Sequence, residues 1–232
     1  MAVTAPRLTQ AAGISAAVAG AIFIGVNINH PHVDLASIVT TELVFRNSLK
    51  VLMCVLALAG ITGMYLSQIR RNGVLGLVGY LVFGVGYLLI MSTTFVTAYV
   101  LPAIADTDPG YVNDVIAVAT GGTATGDIGA LQTINQVQGF AYLAGGLLFG
   151  IALYRARVLA RWAAVLLAVG GVVSAALSVM PDAFYRLLAY PNGIAMIGLG
   201  YSLWSTTRRD APVEPAEAGN RRAATTGGEA TV

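Results

Sequence analysis

Six long apolar segments constrain the fold of this chain more than any other feature of its sequence. A hydrocarbon core about 30 Å thick is crossed by about 20 helical residues, because each residue of an α-helix rises about 1.5 Å. The apolar runs are continuous and lack the alternation of outer-membrane β-strands. The sequence therefore predicts an all-α fold, a polytopic transmembrane helix bundle of six helices. The predicted spans are Thr9–Val26, Thr41–Ser67, Gly73–Leu101, Leu131–Tyr154, Leu159–Met180 and Ala183–Trp204.

The composition agrees with a chain that is solvated by lipid. Of the 232 residues 56% are hydrophobic and 10% are charged, whereas soluble domains carry roughly 25% charged residues. These values exclude soluble globular, disordered and collagen-like classes. The net charge of +2 does not suggest a nucleic-acid partner, and the single cysteine, Cys54, allows no intramolecular disulfide. The expected partner is the lipid bilayer, and no cofactor is expected.

Two segments lie outside the predicted spans. Pro102–Ala130 is a long outer loop with four acidic residues, in which Val112–Val118 is predicted to form a short surface helix. Residues 1–205 are predicted to form the six-helix transmembrane domain. Residues 206–232 are rich in Pro, Glu, Ala, Gly and Thr, which cannot bury a core, and are predicted to be a disordered cytoplasmic tail.

The arginines predict the orientation of the bundle. Six spans place both termini on one side of the membrane, together with the short loops at Gln68–Asn72 and Arg155–Arg161. That side carries ten arginines and four acidic residues, a net charge of +6, whereas the opposite side carries three basic and seven acidic residues, a net charge of −4. Positive loops stay in the cytoplasm, so both termini are expected there.

The sixth span allows two interpretations because Pro191 interrupts it. In the first, a bent helix begins at Ala183. In the second, Asp182–Tyr190 lies at the interface and the span begins at Pro191, which leaves about 14 residues before Trp204, fewer than the roughly 17 that a span needs. The bent helix is favoured, because a proline inside a helix produces a kink.

Small residues at fourth positions indicate close helix packing. The first span carries Gly13, Ala17, Ala21 and Gly25 in this spacing. Helices in lipid associate where small residues let their backbones approach. The stripes fit either packing within the chain or a homo-oligomer or membrane partner, and packing within the chain is favoured. Similar stripes occur at Ala59, Gly63 and Ser67, at Ala141, Gly145, Gly146 and Gly150, and at Gly170, Ser174 and Ser178.

A charged stripe enters the second span. Glu42, Arg46 and Lys50 are four residues apart, so they share one helix face, and Lys50 lies about 13 Å from the start of the helix. Asn135 and Gln138 share a face of the fourth span and could complete a polar pocket with them. The functional interpretation is a substrate-binding entry that binds an anion or relays protons. In the structural interpretation Glu42 pairs with Arg46, and Lys50 extends outward to the surface.

A second candidate site follows the first span. His30, His32 and Asp34 alternate, so an extended backbone would point all three side chains the same way. Two histidines and a carboxylate form a known type of metal site. The alternative is a polar loop at the level of the lipid head groups.

Three runs of sequence resemble a known family. They are Thr41–Arg46, Gly139–Gly150 and Tyr154–Arg157. These runs are similar to those of uncharacterised bacterial multi-pass integral membrane proteins with six helices, which form a domain of unknown function. The likeness covers most of residues 8–205. It implies a six-helix bundle in the plasma membrane and implies no catalytic residue.

Two functional hypotheses follow. The first is a non-enzymatic small transporter or accessory membrane subunit that uses the polar outer half of the second and fourth spans. It predicts that Arg46→Ala and Lys50→Ala abolish a solute- or proton-dependent phenotype while the protein level persists. The second is a membrane-embedded enzyme with an outward-facing metal site. The first is favoured, because no phosphate-binding loop, nucleophile elbow, zinc-protease motif or paired-cysteine motif occurs.

Overall fold

The computed structural model describes residues 3–177 and 189–209, and that part of the chain is helical with no strand. Four of its helices are long and apolar enough to cross a membrane: those that begin at Ala5, Thr41, Ile69 and Leu131. The third of these extends through a π-helical turn to Ile104. The helices are α1 (Ala5–Asn27), α2 (Leu35–Ile38), α3 (Thr41–Leu66), α4 (Ile69–Phe95), α5 (Leu101–Ile104), α6 (Pro109–Ala119), α7 (Leu131–Ala156), α8 (Arg161–Leu177) and α9 (Ala189–Arg209).

The six long helices form a closed ring. α3 packs against α1 and α4, α7 packs against α4 and α8, and α9 closes the ring between α8 and α1. The interior is filled by apolar side chains from all six helices, among them Ile61, Phe83, Phe149 and Leu199. Large apolar side chains such as Phe140 remain exposed on the outside. This distribution suits a bundle whose outer surface meets lipid rather than water.

Glycines set the spacing of the two closest helix pairs. A Cβ built on Gly86 of α4 would lie 2.7 Å from the backbone nitrogen of Tyr142 on α7. A Cβ built on Gly13 of α1 would lie 2.7 Å from the carbonyl oxygen of Gly200 on α9. No side chain fits at these contacts, so small residues hold the helices together within the chain.

The predicted stripe on the first span is only partly correct. Gly13 is buried, but Ala21 and Gly25 are exposed, and nothing lies within 4 Å of a Cβ built on Gly25. Ala16 and Gly20 are buried instead. A strict four-residue spacing advances by about 40° beyond a full helical turn at each step, so a contact face must alternate steps of three and four residues.

The helix boundaries agree with most of the predicted spans. α3 and α7 begin at the predicted residues, Thr41 and Leu131. The third span does not stop at Pro102, as the sequence suggested, because a π-helical turn at Val96–Val100 leads into α5 and places the proline in the first turn of that helix. A proline lacks the backbone N–H that donates within a regular α-helix, and the π-helical turn before it is a departure from that regular pattern.

The end of the predicted fifth span and the start of the sixth, from 178 to 188, lie outside the described residues, as does the predicted tail from 210 onward. The bent helix from Ala183 falls largely in this part. Pro191 lies in the first turn of α9 as the structure describes it, and α9 continues past Trp204 to Arg209.

The long outer loop is a folded cap rather than an open connection. α2, α5 and α6 share an apolar cluster that includes Ile38, Leu101 and Val112. α6 is longer than the predicted Val112–Val118 helix, and its apolar face is buried rather than exposed. Asp114 ties the following segment to it, because backbone N–H groups of Thr125 and Gly126 donate to its carboxylate and lower its pKa.

The start of α4 is broken at Gly73. Its φ of 57° and ψ of −161° lie in a region that only glycine adopts readily. The break separates the first turn, Ile69–Asn72, from the rest of the helix and turns the side chains near it toward the end of α7.

We expect Gly73→Ala to lower the free energy of unfolding by about 1–3 kcal/mol through backbone strain alone. Steric crowding cannot contribute, because a Cβ at this position would meet nothing within 4 Å. Thermal unfolding of the detergent-solubilised protein measures the effect. Gly25→Ala is the matched control, since Gly25 has equally open surroundings in a regular helix. Equal melting temperatures for the two variants would contradict this account.

Candidate functional site

Arg46 joins the start of α3 to the end of α1. Its Nη1 donates to the carbonyl oxygens of Val26 at 3.1 Å and Ile28 at 3.0 Å. Its Nη2 lies 2.9 Å from Oε1 of Glu42, which confirms the predicted ion pair one turn apart. The last carbonyls of a helix lack helical partners, so Arg46 supplies donors and a positive charge where α1 needs them.

Lys50 reaches the loop that follows α1. Its Nζ lies 2.9 Å from Nε2 of His30, and Nδ1 of His30 lies 2.8 Å from the carbonyl oxygen of Pro31. A carbonyl can only accept, so Nδ1 carries the proton and Nε2 presents its lone pair to the Lys50 ammonium. Lys50 thus extends outward, as the structural interpretation predicted, but its partner is an imidazole.

The structure does not bring His30, His32 and Asp34 together as metal ligands. Among the residues it describes, no three His, Cys, Asp or Glu side chains form a group that could hold a metal ion. Asp34 instead caps α2, where its carboxylate accepts from the backbone N–H of Ser37 at 2.7 Å. This bond lowers the pKa of Asp34. His32 is exposed. The backbone of Asp34 is extended, as the prediction assumed, but its carboxylate is used to cap the helix that begins at Leu35.

Asn135 and Gln138 belong to a separate network. Nδ2 of Asn135 donates to the carbonyl oxygen of Val118 at 2.9 Å, and Nε2 of Gln138 donates to Oδ1 of Asn135 at 3.2 Å. The hydroxyl of Thr93 lies 2.7 Å from Oε1 of Gln138. These bonds join α7 to α4 and to the cap. In the described part of the chain, the hydrogen bonds of these two amides go to Val118, Thr93 and each other rather than to the charged side chains of α3.

The candidate site is therefore the basic cluster of His30, Glu42, Arg46 and Lys50 at the junction of α1 and α3. Sequence periodicity found its three α3 members because they share a helix face. It could not assign His30 to them, because that contact joins residues 20 positions apart through an irregular loop. The sequence did contain an indication of this contact: a histidine lies just after the end of the first span, and a lysine lies near the start of the second.

No protein-family model, curated protein or solved structure matches this chain. The resemblance to a family of unknown function stays a prediction.

Proposed function

We propose that this chain is a six-helix integral protein of the bacterial plasma membrane that acts as a small transporter or accessory membrane subunit. Its basic cluster takes up a proton together with an anion. Four helices have the length and hydropathy of membrane spans. α8 and α9 complete the same ring and contribute to the same apolar core, which supports spans five and six.

The proposed orientation has both termini in the cytoplasm and the basic cluster and cap outside. The positive charges at the α3–α4 and α7–α8 turns support this orientation. A reporter that is active only in the cytoplasm, fused after Val232, tests it. Activity of a periplasm-specific reporter at the same position would contradict it.

The contact between Nζ of Lys50 and Nε2 of His30 is the observation that carries the functional proposal. Two basic groups at 2.9 Å can share one proton, but they cannot both be cations and keep this hydrogen bond. Histidine is the side chain that ordinarily changes charge between about pH 5 and 8. A proton that binds Nε2 of His30 therefore breaks the contact with Lys50.

Protonation also changes what the cluster can bind. With neutral His30, the charges of Glu42, Arg46 and Lys50 sum to +1. With the imidazolium they sum to +2, while His32 and Asp34 are the remaining titratable groups of the same loop. A proton thus creates an added attraction for a small anion at the mouth of the bundle, and releasing the anion favours releasing the proton.

Proton uptake by vesicles that contain the purified full-length protein tests this coupling. We expect an inward chloride gradient to drive protons inward, and lowering the external pH from about 8 to about 6 to increase the rate, because histidine side chains ordinarily gain a proton between about pH 8 and 5. His30→Gln should reduce the rate to that of vesicles without protein. His32→Gln removes a histidine two residues away and should retain the rate.

Equal rates for the two histidine variants would contradict the role of His30. Proton uptake that ignores the chloride gradient would contradict the coupling to an anion. Lys50→Gln provides a further check: it removes the repulsion that opposes His30 protonation, so the pH dependence of any remaining uptake should move to higher pH.

A further inference from the structure

A cleft of about 290 Å³ lies at the opposite end of α3 from the basic cluster. Arg71, Asn72 and Gly73 line it from the broken start of α4, and Ala152 and Arg155 line it from the last turns of α7. The cleft exists because the break at Gly73 separates the first turn of α4 from the rest of the helix.

Two arginines from different helices line this cleft. Both Arg71 and Arg155 are exposed, and in the described part of the chain neither makes an ion pair or a side-chain hydrogen bond. Other arginines at the same end are packed on aromatic rings: Arg161 lies 4.1 Å from the centre of the Tyr154 ring. The two arginines of the cleft are therefore available to an anion.

A buried hydrogen-bond acceptor lines the same cleft. Asn72 is 5% exposed, and its Oδ1 has no hydrogen-bond partner among the described residues. Its Nδ2 makes one long bond of 3.5 Å to the carbonyl oxygen of Tyr65. Buried polar atoms are nearly always paired. Because this oxygen has almost no exposed surface of its own, it cannot contact a ligand in the cleft, and recognition of a ligand depends on the two arginines.

The surface beside the cleft is apolar. Val74 is 77% exposed at the rim. Val78 of α4 and Ile151 of α7 are exposed on the outer surface, further along the two helices. A lipid whose anionic head group is held at the cleft can therefore place its acyl chains along α4 and α7. Free inorganic phosphate would leave this apolar surface unused.

We propose that the cleft binds the head group of an anionic glycerophospholipid of the phosphatidylglycerol class. The phosphodiester accepts charge-assisted hydrogen bonds from Arg71 and Arg155, and the acyl chains lie against the apolar surface of α4 and α7. Basic pockets between membrane helices bind anionic head groups in this way. The proposal rests on the membrane-spanning bundle proposed above and makes no use of His30 or Lys50.

Lipid binding to the full-length protein in neutral detergent, followed by native mass spectrometry, tests the proposal. We expect phosphatidylglycerol to bind about tenfold more tightly than phosphatidylcholine with the same acyl chains, and Arg71→Gln with Arg155→Gln to abolish this preference. Arg70→Gln with Arg157→Gln is the matched control. It removes the same charge from the same two turns, at residues that do not line the cleft, and it should keep the preference.

Two results would overturn the proposal. One is an equal loss of preference in both double variants, which would indicate unspecific attraction to a basic surface. The other is displacement of the lipid by inorganic phosphate alone, which would indicate a free-anion site. Each result leaves the proton-uptake measurement unchanged, so the two proposals fail separately.

Discussion

Gly145→Ala is expected to force α4 and α7 apart and to destabilise the bundle strongly. Gly145 of α7 faces Phe83 of α4, and a Cβ built on it would lie 2.8 Å from Cβ of Phe83 and closer still to the backbone nitrogen and Cα. Backbone atoms cannot rotate away as a flexible side chain can, so the two helices must separate. We expect a loss of about 3 kcal/mol in the free energy of unfolding, at the upper end of typical overpacking effects.

Gly139→Ala is the control for this prediction because it makes the same change in the same helix. A Cβ at Gly139 would meet nothing within 4 Å, so this variant should be as stable as the wild type or slightly more stable. Thermal unfolding in detergent measures the stability of both variants, with the fraction of protein that stays monodisperse after heating as the readout. Similar behaviour of the two would show that the contact between α4 and α7 is looser than the structure indicates.

Arg46→Ala is expected to destabilise the junction of α1 and α3 by about 2–3 kcal/mol, since hydrogen bonds to charged groups contribute about 1.5–3 kcal/mol each. The side chain is 20% exposed and bonds two carbonyls at the end of α1. This expected loss of stability differs from the prediction from sequence that the protein level persists in this variant. A lost phenotype in Arg46→Ala would partly reflect lost protein, so His30 and Lys50 are better targets for a functional test.

Two further variants separate charge from geometry at Arg46. Arg46→Lys keeps the charge, but a lysine lacks the planar guanidinium that contacts two carbonyls and Glu42 at once. This variant should therefore recover only part of the stability that Arg46→Ala loses. Glu42→Gln removes an ion pair whose acidic side chain is 59% exposed and should change stability by less than about 1 kcal/mol. Full recovery in Arg46→Lys, or a large loss in Glu42→Gln, would contradict the assigned role of Arg46.

Hydropathy and helix periodicity predicted most of the fold. They predicted the start of α3 at Thr41 and of α7 at Leu131, since each lies at the end of a largely apolar segment that is long enough for a span. They did not predict the cap, because its core joins Ile38, Leu101 and Val112 from three separate segments. Such contacts depend on how loops fold back, which periodicity does not encode.

The candidate site was predicted only in part, because periodicity does not encode contacts between separate segments. The i, i+4 spacing of Glu42 and Arg46 was sufficient to predict their ion pair. The joint pocket with Asn135 and Gln138 would require α7 to face the charged side of α3, but α4 lies between the two helices in the ring. Helix order in a bundle is set by packing, and no residue pattern within a single helix specifies it.

The closed ring has a consequence for how the protein is made. Among the described helices α1 is synthesised before α9, yet Gly13 and Gly20 of α1 pack against α9. Until α9 is inserted, the α1 surface that carries these glycines has no packing partner. The ring can therefore close only after α9 is made, and a product truncated ahead of Ala189 would leave this surface uncovered.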